Sequence, residues 1–371
     1  MRLRSFAHST ADLKCKTERE KDMSVTSRKF GTTKKGEKIT LYTITNKCGT
    51  EADVTDFGAI LVAFRMKDKN GEVKDLVLGF DEAKPYLKDG NLFGATVGPI
   101  ANRTAKAKFS INGTEYRLKA NDGENNLHTS HKKGFHKSLF KAVHKENSVT
   151  FSIKKEDLSM GHPGNVNASV TYTLTDDNEL IIAYRATSDK ETYINLTNHS
   201  YFNLNGHDSG NIFHEKVQIN AKAFTPVVKG AIPTGEIAPV EGTPMDFTTE
   251  KEVCRDFTYA YDQIELVNGY DHNFVLDNWD GNVREIAKVT DDNSGIRMHV
   301  LTDLPGVQFY TGNWVNVESA KGGVAYGPRQ GLCLETQYFP NAANEEKFPK
   351  SYCGPENPYE TVTIYRFETV E

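Results

Sequence analysis

Apolar and polar residues alternate with a period of two in one short run after another along this chain, and a helical period of 3.6 is almost never sustained. Val149–Lys154, Ala168–Thr175 and Leu180–Ala186 carry the alternation, and Asp176-Asp177-Asn178 between the last two is a turn signal. Val217–Asn220, Ile296–Thr302, Gly306–Gly312, Gly331–Phe339 and Thr361–Phe367 read as further strands. Asn70-Gly71, Asn112-Gly113, Asp122-Gly123 and Asn268-Gly269 punctuate the pattern as turns. Helical candidates are short and charged, such as Asp81–Leu87. A chain of this kind buries its apolar faces by stacking antiparallel sheets, so the expectation is an all-β sandwich or barrel with few short helices. No linker divides Ser24 from Glu371, and the Pro/Gly-rich stretch Thr225–Pro244 reads as a long loop over the sheet. The expected organisation is a polar, disordered extension over residues 1–22 and a single domain over residues 23–371.

Composition narrows the function. With 37% hydrophobic residues, 20 Phe and 16 Tyr among 371, the chain can fill a large core, which excludes wholesale disorder. Its 45 basic and 50 acidic residues leave a net charge of −5, without the basic excess that a nucleic-acid protein needs. No run approaches the roughly 18 consecutive apolar residues of a membrane span. The first residues hold Arg2 and Arg4 but no apolar segment of a secretory signal. Five cysteines, an odd number without C-x-x-C spacing, read as reduced thiols, and a cytoplasmic location is expected. Five N-x-S/T triplets are then chance matches.

Several chemistries leave no trace. There is no G-x-G-x-x-G after a strand, no phosphate-binding G-x-x-x-x-G-K-[ST] and no G-x-S-x-G. The spacing His128-x2-His131-x4-His136 fits neither H-E-x-x-H nor a zinc finger. No cofactor and no metal are expected.

The informative feature is where polar residues fall on strands. If Thr192–Leu204 is extended, Ile194, Leu196, Phe202 and Leu204 share one face, while Asn195, Thr197, His199, Tyr201 and Asn203 share the other. That polar face suits either solvent or a ligand rich in hydroxyls, because each buried polar group needs a partner. In Gly331–Phe339, Cys333, Glu335 and Gln337 face away from Leu332 and Leu334. A carboxylate in so apolar a strand is expected to be desolvated and therefore a stronger base. Gln308 and Tyr310 share a face of Gly306–Gly312. With Asp271 and Arg103, these residues supply an acid candidate, two carboxylates, a fixed cation and amides, the inventory that a sugar requires.

The segments that carry these residues resemble those of the aldose 1-epimerases, the galactose mutarotases. They are Gly98-Pro99-Ile100-Ala101-Asn102-Arg103, Asn125-Asn126-Leu127-His128, Thr197 to Leu204, Gly269-Tyr270-Asp271-His272-Asn273-Phe274, Pro305 to Asn313, and Leu334-Glu335-Thr336-Gln337-Tyr338-Phe339-Pro340-Asn341. They occur in the family's order across residues 30–370. The resemblance implies a large antiparallel β-sandwich of the galactose mutarotase-like type, with a sugar in an open cleft. It implies an isomerase that interconverts the α- and β-anomers of free aldohexoses such as galactose and glucose. His199 would be the general acid, Glu335 the general base and His128 an auxiliary histidine beside the ring oxygen. Asn102, Arg103, Asp271, Gln308 and Tyr201 would contact the sugar. The small-molecule sugar is the expected partner, and a monomer is the expected state. At reference pKa values of about 6.5 and 4.3, a protonated His199 and an ionised Glu335 coexist in mildly acid to neutral solution.

Three departures from the family pattern are expected at the cleft rim. Thr129-Ser130 replace two glycines after His128, so the loop is expected to turn differently, since threonine tolerates positive φ poorly. Gly134-Phe135-His136-Lys137 with Phe140, and Met160-Gly161-His162, also differ. Two other readings stay open on the residues: a non-catalytic sugar binder, which would not need both His199 and Glu335, and a glycosidase using Glu335 and Asp271 as a carboxylate pair.

Overall fold

Alternation in the sequence becomes alternation in burial. Val166–Leu174 buries every second side chain, and Glu179–Ser188 does the same with Leu180, Ile182, Tyr184 and Ala186. The two strands pair antiparallel from Val166↔Ser188 to Leu174↔Leu180 across the expected Asp176-Asp177-Asn178 turn, where Asn178 has φ 56°. The computed structural model describes residues 23–257 and 260–371, and the extension expected over residues 1–22 lies outside them. In it these strands belong to a nine-stranded antiparallel sheet. Its order is Lys141–Lys145, Ser148–Lys155, Val166–Leu174, Glu179–Ser188, Tyr359–Thr369, Ile296–Thr302, Arg284–Asp291, Lys216–Ile219 and Lys251–Glu252.

Two five-stranded sheets pack against it. Ser24–Thr32, Lys38–Thr45, Glu51–Thr55, Ile60–Lys67 and Val73–Asp75 form a meander. The other runs Ala238–Pro239, Ala223–Phe224, Asp271–Val275, Gly306–Tyr310, Cys333–Gln337. One apolar cluster joins all three: Val54 and Phe64 from the meander, Val170, Ile182 and Phe367 from the large sheet, and Phe274, Phe309 and Leu334 from the third. Phe64 stacks on Phe367 with ring centres 4.2 Å apart. Each such buried side chain contributes about 1.5–3 kcal/mol of transfer free energy. This is the all-β sandwich that the pattern predicts. Among the described residues, α-helix is confined to Ala83–Tyr86, inside the predicted segment, and Asp262–Val267. No helix of the described residues is long and apolar enough to cross a membrane.

Local turn chemistry delivers the strands. Asn112 and Gly113, at φ 50° and 78°, make the two-residue turn that joins Lys108–Ile111 to Thr114–Arg117, where Ile111 opposes Thr114. Asn268 caps helix Asp262–Val267 in the left-handed region. Gly269 follows at φ 134°, where a Cβ would lie 2.5 Å from Asn313 Oδ1, and the chain enters the Asp271 strand. One expectation is corrected. Thr225–Pro244 is not a plain loop: Val227–Val228 pairs with Ile232–Pro233, and Ala238–Pro239 joins the third sheet beside Ala223–Phe224.

Candidate active site

Register puts the polar residues of the third sheet in rows. Asp271 opposes Tyr310, which opposes Cys333; Asn273 opposes Gln308, which opposes Glu335. Side chains two residues apart share a face. Asp271, Gln308 and Glu335 therefore lie on the face opposite to Phe274, Phe309 and Leu334, which enter the core. Glu335 is 2% exposed, and its Oε2 has no hydrogen-bond partner among the described residues. Burial above all, then the charge of Asp271, raises its pKa well above the carboxylate range, with Arg103 acting in the opposite sense.

His199 arrives from a segment that is less regular than expected. Only Thr192–Tyr193 and Thr197–His199 are strand, and Thr197–His199 pairs with Ala95–Val97. Ile194, Leu196, Phe202 and Leu204 enter the core as predicted. The polar set is not one exposed face. Asn195 holds Tyr338 by donating to its carbonyl and accepting from its N–H, and Asn203 donates to the carbonyls of Gly210 and Gln330. His199 is the member that meets Glu335, with Nε2 3.7 Å from Oε1. Its ring stacks on Tyr201, centre to centre 5.1 Å, and its Nδ1 faces Cys333 Sγ at 3.6 Å. The resemblance puts Tyr201 beside the sugar. The structure gives its ring to His199 and its hydroxyl to the Asn91 carbonyl, which accepts at 2.9 Å. Burial pushes the His199 pKa down to about 4.

His128 stands edge-on to His199 at 5.4 Å. Its backbone N–H donates to the Asn102 carbonyl, and the Asn102 N–H donates to His128 Nδ1 at 3.1 Å. An acceptor Nδ1 means that the neutral ring carries its proton on Nε2. Burial first, then the neighbouring His199, His136 and Arg103, holds its pKa well below the usual histidine value, so His128 is a neutral donor. Asn102 Oδ1 accepts from the Arg103 N–H. Arg103 donates through Nε to Asp122 Oδ2 at 3.0 Å and brings Nη1 to 3.6 Å from Asp271 Oδ2; Gln308 Nε2 donates to Asp271 Oδ1 at 2.7 Å. The alternation in Gly331–Phe339 already marks Cys333 and Gln337 as neighbours of Glu335. Nothing in the sequence marks Asp122 as the partner of Arg103.

The ligand atoms of His128, His199 and Glu335 lie within 4.8 Å of one another, a spacing that a metal ion could bridge. The donor set argues against one. A ligating imidazole offers one lone pair and donates its other N–H outward. His128 Nδ1 instead receives an N–H, so Nε2 carries hydrogen in place of a lone pair. His131 and His136 join no such cluster among the described residues. His136 is buried with neither ring nitrogen partnered there. Two surface depressions of about 420 Å³, one lined by Phe257, Ile264 and Arg329 and the other by Lys222, Asp277 and Arg284, include none of these residues.

The departures are not all exposed: Thr129, His136, Phe140 and His162 are buried, and Ser130, Met160 and Gly161 are half-buried. Phe135 and Phe140 pack edge to face in the main core, and His162 is buried against Phe109. Nor do His128 and Thr129 avoid positive φ, which is 54° and 63°. Thr129 offsets that strain with its hydroxyl, which accepts from the Ile100 N–H and donates to the Ile100 carbonyl, both at 2.9 Å. Thr129→Ala keeps the strain and strips both bonds, so it is expected to cost about 1–3 kcal/mol. Thr129→Gly relieves the strain and should fall between alanine and wild type. Urea unfolding ranks the three, and an alanine variant as stable as wild type would remove the hydroxyl clamp.

The sequence model described as aldose 1-epimerase matches residues 40–366. Galactose mutarotase from Bos taurus is 42% identical over 316 residues, 85% of this chain and 90% of that protein. Aldose 1-epimerase from Escherichia coli K12 is 34% identical over 335 residues, 90% of this chain and 96% of that protein. The crystal structure of an aldose epimerase homologue from C. elegans superposes with a TM-score of 0.80 at 29% identity, covering 87% of this chain and 96% of that one.

Proposed function

This chain belongs to the aldose 1-epimerase family, and from that premise we propose that it opens and recloses the ring of free aldohexoses, galactose and glucose, by acid–base catalysis. Membership makes it an isomerase of sugar anomers, which sets aside the non-catalytic binder and the glycosidase. The observation that carries the reading is the 3.7 Å approach of His199 Nε2 to Glu335 Oε1, two proton-transfer groups from distant segments. Glu335 removes the C1 hydroxyl proton while His199 protonates the ring oxygen, which avoids both a free alkoxide and an oxocarbenium ion. Rotation about C1–C2 and the reverse transfers close the ring on the other carbonyl face. His128 donates its Nε2–H beside the ring oxygen. Asn102, Arg103, Asp271 and Gln308 hold sugar hydroxyls, and Tyr201 supports the His199 ring. Arg103, already shared by Asp122 and Asp271, leaves little cationic capacity for a phosphate or a uronate, which favours neutral sugars.

The proton balance differs from the one expected from reference pKa values. Burial disfavours charge on both partners, raising Glu335 and lowering His199. Both shifts aid ring opening, since the carboxylate becomes a stronger base and the imidazolium a stronger acid. The pair carries one mobile proton, which these shifts rest on Glu335; opening starts from the minor tautomer with the proton on His199 and leaves the proton on Glu335. Below the His199 value, a second proton occupies the pair and Glu335 cannot accept. Above the raised Glu335 value, the pair is empty and His199 has nothing to give. A bell-shaped kcat/KM is expected, with its acid limb near pH 4 and its alkaline limb belonging to Glu335. An acid limb near 6.5 would contradict it. Polarimetry on freshly dissolved α-D-glucose and α-D-galactose tests the function itself. Faster decay to an unchanged final rotation is expected, and a decay unaltered by protein would refute it.

A further inference from the structure

Behind Gln308 lies a chain of amides that the mechanism above does not use. Gln337 is wholly buried and Asn273 is 1% exposed. Gln337 Nε2 donates to Gln308 Oε1 at 3.1 Å and to Asn273 Oδ1 at 3.3 Å. Gln308 in turn donates Nε2 to Asp271 Oδ1 at 2.7 Å. The sense of this chain is set at one end. A carboxylate only accepts, so Asp271 requires the NH2 of Gln308. The Gln308 carbonyl is thereby turned toward Gln337, which must answer with its own NH2, and Asn273 must then present its carbonyl. Reversing Gln308 or Gln337 sets oxygen against oxygen, and reversing Asn273 sets NH2 against NH2. Room for the last amide comes from Gly306, where a Cβ would lie 2.5 Å from Asn273 Oδ1.

We propose that Gln337, seconded by Asn273, is a positioning residue for sugar binding: it fixes the Gln308 amide so that the Nε2 hydrogen not given to Asp271 points at a substrate hydroxyl. The relay rests on the sugar-binding role of Gln308 given above. Gln337 touches no sugar in this arrangement and acts only through Gln308. Without its donor, the Gln308 amide is free to rotate, and the ordering must then be met at the moment of binding.

The test is a double-mutant cycle on KM, measured by polarimetry with galactose and glucose. Gln308→Ala is expected to raise KM, and Gln337→Met to raise it roughly two- to tenfold while kcat falls by less than KM rises. The double variant should match Gln308→Ala alone. An unchanged KM in Gln337→Met, or effects that multiply in the double variant, would overturn the relay and leave Gln308 as a sugar ligand. An unchanged KM in Gln308→Ala would instead remove Gln308 from sugar binding, and the relay with it. If Gln337→Met fails to fold, Gln337→Glu keeps the shape but donates only when protonated. Its KM relative to wild type should then rise with pH, and a ratio constant across pH would refute the proposal.

Discussion

Glu335→Gln is expected to lower kcat/KM for anomerisation by roughly 10²–10⁴, the range for one positioned proton-transfer group. The substitution keeps size and shape and removes the lone pair that accepts the C1 proton. Folding should not suffer. The Glu335 pKa is raised in the fold, so its contribution to stability is present in acid and is lost as pH rises toward the folded value. At pH 7 the wild type therefore bears a desolvation cost that glutamine avoids. The melting temperature of the variant should equal or exceed that of wild type, the signature of a group kept for chemistry. Turnover near the wild-type level would remove Glu335 as base. A large fall in melting temperature would make it a structural residue.

His199→Gln is the matching experiment on the acid. Glutamine can place an NH2 near the position of Nε2 but cannot surrender a proton to the ring oxygen. A loss of roughly 10²–10⁴ is again expected. Because one concerted step uses both groups, the double variant with Glu335→Gln should be little worse than the poorer single variant. Activity that survives in His199→Gln would mean that a hydrogen bond suffices there, and that proton delivery belongs to another group.

The fold was legible because alternation is a local signal: Ile296–Thr302 and Glu179–Ser188 reveal their buried faces in the order of their residues. The site was legible in part. That Glu335 and Gln337 share a face, and that Gln308 and Tyr310 share one, follows from period two. That Gln308 opposes Glu335 does not, because register between strands is set by the turns and the core, which no single strand encodes. Thr192–Leu204 misled for the reverse reason. Its polar residues look like one sheet face, yet Asn195 and Asn203 serve neighbouring backbone, a long-range need that only the folded chain displays. The proton balance was hidden too, since reference pKa values know nothing of burial. The left-handed turn at Thr129 was misjudged because a side-chain clamp on Ile100 outweighs a propensity.

The reciprocal link between His128 and Asn102 sets how the site would fail in acid. Protonating Nδ1 places a hydrogen against the Asn102 N–H that now points at it, and attraction turns to repulsion. Acidification beyond the depressed His128 value therefore does more than silence a donor. It pries apart the two backbone segments that carry Asn102, Arg103 and His128, so that the sugar's berth would be unlatched along with its chemistry.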